Sequence, residues 1–300
     1  MRPPETLTSP RRKNTKNAPL FVAYAPQTQN IEIISLVSDY DHMKSLYLHP
    51  APCIAEYVHE LLVIENFQVT TPFALPLFAN GMPTLLFQTA KGRIGNSTNY
   101  LTLFGQTVFP DTLTIDEDFT LIAYFFKPYA LNSLFGVSAQ ELTDNPIDLN
   151  VLPASIRTGL QEQLLNASSS TEMVGILDRY IYSLVTKIKT DTRIMQYAVE
   201  KIAAEPSKKN LAAIQSELCM TGRTFQRLFE KIIGIIPTRY RRIRQFNAAF
   251  RQLNSRQFTN LTALSYSNGY SDQSHFIRAF KEFTSLTPGE YLAYSKAGGN

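Results

Sequence analysis

The chain has 300 residues, 44% of them apolar, which is enough for one or two domains with cores of their own. No apolar run approaches the length of a membrane span, and the only two cysteines, Cys53 and Cys219, stand far apart. These features argue against a membrane protein and against a disulfide scaffold, and they fit a reducing cytoplasm. The net charge of +4 hides a division: from Ser207 onward there are 14 Lys and Arg against 5 Asp and Glu, whereas 15 stand against 20 before it. A basic last third on an acidic remainder is the electrostatic pattern of a nucleic-acid-binding module joined to something else.

Residues 1–18 combine Pro, Thr, Asn, Lys and Arg, with a basic cluster at Arg11-Arg12-Lys13, and read as a disordered tail without the apolar stretch of a secretory signal. Residues 19–190 read as a β-rich domain with C-terminal helices. Strands are expected at Ile31–Val37, Thr84–Gln88, Tyr100–Phe104 and Phe119–Phe126, with a small helix near Ile54–Val58. Short strands between Gly, Pro and Asn punctuation suggest a barrel or sandwich. From Pro128 the pattern turns helical: Tyr129–Phe135 closed by Gly136, then Leu152–Leu165, then Thr171–Lys189 after a capping region at Ser168–Thr171. The apolar stripe Val174, Leu177, Ile181, Leu184, Val185 and Ile188 needs a partner, either its own domain or a second subunit.

A domain boundary is expected near Thr190, leaving residues 191–300 as an all-helical unit opened by a helix over Arg193–Ala204. Two helix-turn-helix patterns follow. In the first, Leu211, Ile214 and Leu218 give one apolar face, the turn passes through Cys219–Gly222 with Cys219 as a small core residue, and Thr221 caps the next helix. There Phe225, Leu228, Phe229 and Ile232 face inward, leaving Arg223, Gln226, Arg227 and Glu230 outside. Gly234 ends that helix and Pro237 opens the next, which carries Arg239, Arg241, Arg242, Arg244 and Arg251. Of these, Arg239, Arg241 and Arg242 are candidates for phosphate contact.

The second pattern runs from Leu261 to Lys281. Its first helix ends at Gly269, and Ser271 or Asp272 caps the next. Phe276, Phe280 and Phe283 face inward; Gln273, Ser274, Ile277, Arg278 and Lys281 are left outside, with His275 at the boundary. Arg278 is the candidate for a specific base contact and Lys281 for phosphate. Thr287-Pro288-Gly289-Glu290 has the form of a capping box for a last helix.

The stretch from about Leu211 to Tyr291 resembles the DNA-binding domain of the AraC/XylS family of bacterial transcription regulators. The run Gly269-Tyr270-Ser271-Asp272-Gln273-Ser274-His275-Phe276-Ile277-Arg278-Ala279-Phe280-Lys281, followed by Thr287-Pro288 and Tyr291, carries it. The first unit contributes Leu211-Ala212, Thr221, Phe225, Arg227-Leu228-Phe229, Gly234, Pro237, Tyr240, Arg244 and Ala248. The resemblance implies two recognition helices in successive major grooves, with Arg223, Gln226 and Arg227, then Gln273, Ser274, His275 and Arg278, reading bases. Two departures are expected to be tolerated. Ser285 stands where the family usually has Gly, at a cost of about 1 kcal/mol in a left-handed conformation. Ser265 replaces a usual Ala, and its hydroxyl needs a partner. Segments of the N-terminal half, among them Leu75–Phe87, Phe104-Gly105-Gln106 and Tyr124–Pro128, resemble β-rich sensor domains attached to such regulators. That implies a cupin-like or related β fold that senses a ligand, mediates dimerisation, or both.

The expected fold class is therefore α+β: a β-rich barrel or sandwich followed by an all-α domain with two helix-turn-helix units. His42, His49 and His59 lack the spacing of a metal-binding cupin, Asp116-Glu117-Asp118 reads as a solvated turn, and no phosphate loop, nucleophile elbow or paired-Cys motif occurs. No metal and no cofactor are expected. The partners expected are double-stranded DNA, a second copy of the chain, a small-molecule effector, and RNA polymerase if the protein activates. The competing readings are a β-barrel enzyme with a DNA-binding appendage and a helical interaction module that no longer binds DNA.

Overall fold

The computed structural model describes residues 43–297; the expected tail, the Arg11-Arg12-Lys13 cluster, the Ile31–Val37 strand and His42 lie outside them. The N-terminal half is an antiparallel sheet of β1 (Met43–Leu48), β2 (Val58–Asn66), β3 (Phe73–Leu77), β4 (Thr84–Ile94), β5 (Ser97–Phe104), β6 (Asp111–Ile115), β7 (Phe119–Phe126) and the two-residue β8 (Ile147–Asp148). The path runs β1-β2-β7-β4-β5-β8, and β6 joins β3 to the far end of β4. The sheet thus curls around the long strand β4, which pairs with β5, β6 and β7.

Both faces of the sheet's middle strands, β2, β7 and β4, are buried. Leu61, Val63, Leu85, Phe87, Ile122 and Tyr124 point into one core; Leu62, Ile64, Leu86, Leu121 and Ala123 point into another. That is the period-2 alternation of a strand, but with apolar residues on both sides it reads in sequence as an unbroken run. β7 shows its ends by the acidic run before it and the Lys127-Pro128 pair after it, whereas β2 has no such punctuation and stands outside the strands expected from sequence. The small helix foreseen over Ile54–Val58 is a turn, and Val58 begins a central strand.

Helices α1 (Ala130–Phe135), α2 (Pro153–Thr158), α3 (Leu160–Leu165) and α4 (Ser170–Val185) follow. Gly136 closes α1 in the left-handed conformation, as its position suggested. The single helix expected over Leu152–Leu165 is broken at Gly159, also left-handed. Ser169 caps α4 by accepting from the Glu172 N–H, and the Glu172 carboxylate reaches back to Ser168. The α4 stripe (Met173, Ile176, Leu177, Tyr180, Ile181, Leu184) is buried within the chain. Tyr124 of β7 fixes it, donating its hydroxyl to Asp178 Oδ1 at 2.7 Å and to Val174 O at 3.1 Å.

The rest is helical: α5 (Arg193–Ala204), α6 (Lys208–Glu217), α7 (Gly222–Ile233), α8 (Pro237–Asn254), α9 (Leu261–Ser267), α10 (Gln273–Thr284) and α11 (Pro288–Ala297). At 1.5 Å per residue α8 is a rod of about 27 Å, with the two helix-turn-helix units on either side of it in sequence. The β-rich half packs against this rod and against the end of α7. Asn247 donates its amide to Asn80 O at 3.0 Å, and the Phe78 and Phe250 rings meet edge to face at 5.8 Å. Thr143 Oγ1 lies 3.1 Å from Gly234 O.

Candidate nucleic-acid interface

The first unit is α6, a turn, and α7. Cys219 takes a left-handed φ of 52° in the turn and is exposed, so it is not the core residue expected from sequence. Thr221 caps α7 as foreseen, accepting from the Thr224 N–H. Phe225, Phe229 and Ile233 bury the inner face, and Gly234 ends the helix with φ 97°. A Cβ on Gly234 would sit 2.5 Å from Ala139 O, so both its backbone angle and its neighbour require glycine. Arg223, Gln226 and Arg227 lie exposed on the opposite face, and Glu230 is half-buried.

The second unit is α9, a turn, and α10. Asn260 caps α9 and Asp272 caps α10, accepting from the His275 N–H at 2.7 Å. That bond, with a second from Ser271 Oγ, holds the Asp272 carboxyl below its ordinary range, so the cap stays charged at the positive end of the helix dipole. Gly269 makes the turn with φ 73°. Phe276, Phe280 and Phe283 bury the inner face against Phe246, Phe250 and Tyr291. Ser274, Arg278 and Lys281 are exposed; Gln273, His275 and Ile277 are half-buried. Gln273 Oε1 accepts from the Thr262 hydroxyl at 2.7 Å, and His275 Nδ1 lies 3.2 Å from Ser271 Oγ with its ring against Tyr270. Ser285 does adopt the left-handed conformation, φ 63°, and its N–H still closes on Lys281 O. Ser265 is fully buried and donates to Leu261 O at 2.6 Å, which supplies the partner its hydroxyl needed. The capping box opening α11 is present: Thr287 N donates to Glu290 Oε2 at 2.7 Å and Glu290 N to Thr287 Oγ1 at 3.2 Å.

The arginines of α8 are placed differently from the expectation. Arg241 is buried, and its Nη1 donates to Pro206 O at 3.0 Å and to Gln245 Oε1 at 2.9 Å; Gln245 in turn donates to Asn268 O. This buried chain ties the α5–α6 turn to the α9–α10 turn and removes Arg241 from the surface a phosphate could reach. Arg239 and Arg242 both bind Glu282 of α10, each at 2.5 Å. Their guanidinium groups lie 5.6 and 5.7 Å from the Phe283 ring centre. Sequence reasoning missed Glu282, Gln245 and Thr262. Each acts on a group 11 to 43 residues away, and no spacing rule marks such a partner.

Two capped helix pairs, each presenting an exposed polar face that carries arginine (Arg223 and Arg227 on α7, Arg278 on α10), define a DNA-binding protein. Residues 214–294 match the family model described as a helix-turn-helix domain, and residues 47–148 match a domain of unknown function, DUF6597. Together with the motif from Gly269 to Lys281, this gives the chain, at its C-terminal end, the AraC-type helix-turn-helix domain of a transcription regulator. No curated protein matches it by sequence. Among solved structures it is similar to ToxT from Vibrio cholerae (12% identity, 85% of this chain and 99% of that one, TM-score 0.46). A second is ToxT from strain SCE256 with an unsaturated fatty acid bound (12%, 85% and 96%, 0.43). A third is the AraC-like transcriptional activator CuxR (16%, 64% and 78%, 0.23). Among the described residues no cluster of His, Cys, Asp or Glu could hold a metal, and no helix is long and apolar enough to cross a membrane.

Proposed function

We propose that α7 and α10 enter successive major grooves on one side of a duplex and select its sequence. The observation that carries this reading is the pair of exposed faces: Arg223, Gln226 and Arg227 on α7, and Ser274 and Arg278 on α10, all on helices held by a full inner face of aromatic residues. Arginine suits guanine and glutamine suits adenine in the major groove. Gln273 and His275 stand at the start of α10 and join the readout from positions fixed by Thr262 and Ser271. Lys281 takes phosphate, and Arg239 and Arg242 contribute there to the extent that Glu282 shares them. Arg241 works inside the domain.

Residues 19–190 modulate this reader in the cytoplasm, as an effector-binding and dimerising unit. Its contacts with Gly234 give it direct purchase on α7, and its contacts with α8 give it indirect purchase on α10. Because α4 spends its apolar stripe inside the chain, a homodimer would use the exposed apolar residues of the helical appendage, Val151, Ile156, Leu165 and Tyr182. If the protein activates, RNA polymerase is its further partner. Selection of bound sites from a random DNA pool with full-length protein, across a salt series, tests the reading. A motif of two blocks about one helical turn apart is expected. Binding without sequence preference, or binding indifferent to salt, would sink it.

A further inference from the structure

Two cavities adjoin behind the recognition helices. The first, about 110 Å³, lies between the sheet and α8: Leu75, Leu86, Ala123 and Phe125 wall one side, Phe246 and Phe250 the other. The second, also about 110 Å³, is bordered by Gln106, Phe109, Asp111 and Asp144. Leu77, Phe104 and Thr107 line both, so the two lobes are direct neighbours.

The lobes differ in chemistry. Among the described residues the first carries no charged side chain, only the Tyr47 phenol and short amides and hydroxyls among aromatic and aliphatic groups. In the second, Gln106 is 1% exposed, and among the described residues neither its amide nitrogen nor its amide oxygen has a hydrogen-bond partner. An unpaired buried amide is costly and asks for a donor and an acceptor together. The charges bordering this lobe are carboxylates. Asp144 Oδ1 is occupied by the N–H groups of Val108 and Phe109 at 2.6 and 3.0 Å, and Asp111 by that of Thr112 at 2.7 Å. The guanidinium over the Phe109 ring, that of Arg239, is held by Glu282. Such a setting repels an anion and offers Gln106 to a neutral group.

We propose that the two lobes form one site for a small neutral amphiphile, its apolar body against Phe246 and Phe250 and its hydrogen-bonding end at Gln106, and that occupancy changes the freedom of α10. The route is short. Phe246 lies 5.6 Å from Phe280 and 5.2 Å from Phe283, and Phe250 lies 5.8 Å from Phe280, all ring centre to ring centre. A second route runs from Phe109 through Arg239 to Glu282 of α10. A ligand between sheet and rod therefore touches the packing that sets the second recognition helix. Only this coupling rests on the function proposed above; binding itself does not.

The test uses full-length protein and the fluorescent probe N-phenyl-1-naphthylamine, displaced by octanamide, octanoate or octylamine. Octanamide should displace the probe at least tenfold more tightly than either charged analogue. Gln106→Leu should weaken octanamide at least tenfold while the probe still binds. Ala123→Leu, or Leu75→Phe if the first does not fold by thermal unfolding, should reduce probe binding by filling the apolar lobe. Equal or tighter binding of octanoate or octylamine overturns the neutral class. Unchanged octanamide affinity in Gln106→Leu means that the amide meets only water and overturns its role. Full probe binding in a folded filled variant overturns the site. Octanamide should also change affinity for a selected duplex about fivefold or more. No change with octanamide bound overturns the coupling, whereas absence of any selected duplex fails the DNA reading and leaves the displacement result standing.

Discussion

The two helix-turn-helix units solve the same problem with different degrees of independence. Unit one presents Arg223, Gln226 and Arg227 with no hydrogen bond or ion pair among the described residues, and it is restrained from behind, where Gly234 meets Ala139 and Thr143 of the β-rich half. Unit two is restrained from the front as well: Gln273 is bound by Thr262, His275 sits against Ser271 and Tyr270, and Glu282 collects two arginines from α8. The first reader is held by another part of the chain and is free at its face; the second is organised by its own neighbours. A signal from the N-terminal half reaches the first through backbone contact and the second only by way of α8, through its aromatic packing and through Arg239.

The largest effect should come from the contact behind unit one. Gly234→Ala places a methyl group against a backbone carbonyl in a left-handed residue, which should cost about 2–4 kcal/mol of stability. Denaturant unfolding measures it; a change within about 0.5 kcal/mol would show that the two halves separate easily there. Next are the reading faces. Arg223→Ala and Arg278→Ala should each weaken binding to a selected site by about 1–3 kcal/mol and relax preference at different base positions. Anisotropy titration on matched and single-mismatch duplexes separates the two. Loss of preference at the same positions for both variants would mean that the helices do not read separate blocks.

What the sequence made legible was local. The caps Thr221 and Asp272, the turns at Gly234 and Gly269, and the capping box at Thr287–Glu290 each depend on residues within four positions, and all are found. β7 was visible as Phe119–Phe126 because Asp116-Glu117-Asp118 and Lys127-Pro128 bound it. β2 lacks such bounds, and burial on both faces erases the alternation that would otherwise mark it. The reading faces followed from helical periodicity. The fate of the α8 arginines did not, because an arginine looks the same in sequence whether it meets a phosphate, Glu282 or Pro206 O. Gln106 gave no signal at all beyond its place in a segment of resemblance.

The ends of the recognition helices offer a finer comparison. Gly234 and Ser285 occupy equivalent left-handed positions, one with glycine and one without. Ser285→Gly should stabilise the protein by about 1 kcal/mol by relieving that conformation. Thermal unfolding measures it, and site affinity should not change. A destabilised variant would mean that Ser285 has a role its backbone angle does not reveal.

The smallest effect in stability bears most directly on phosphate binding. Glu282 is about one-quarter exposed and its two partners between one-quarter and one-third, so solvent screens the pairs. Glu282→Gln should therefore cost no more than about 1 kcal/mol. The same change releases Arg239 and Arg242 beside the exposed Lys281. If these three form the phosphate contact surface of unit two, the variant should bind random-sequence duplex more tightly. The slope of log affinity against log salt should steepen by about 1–2, since each added phosphate contact contributes about 0.9. An unchanged slope would assign the two arginines to holding α10 in place, as Arg241 holds the turns, and would leave Lys281 and the helix starts to carry the phosphates.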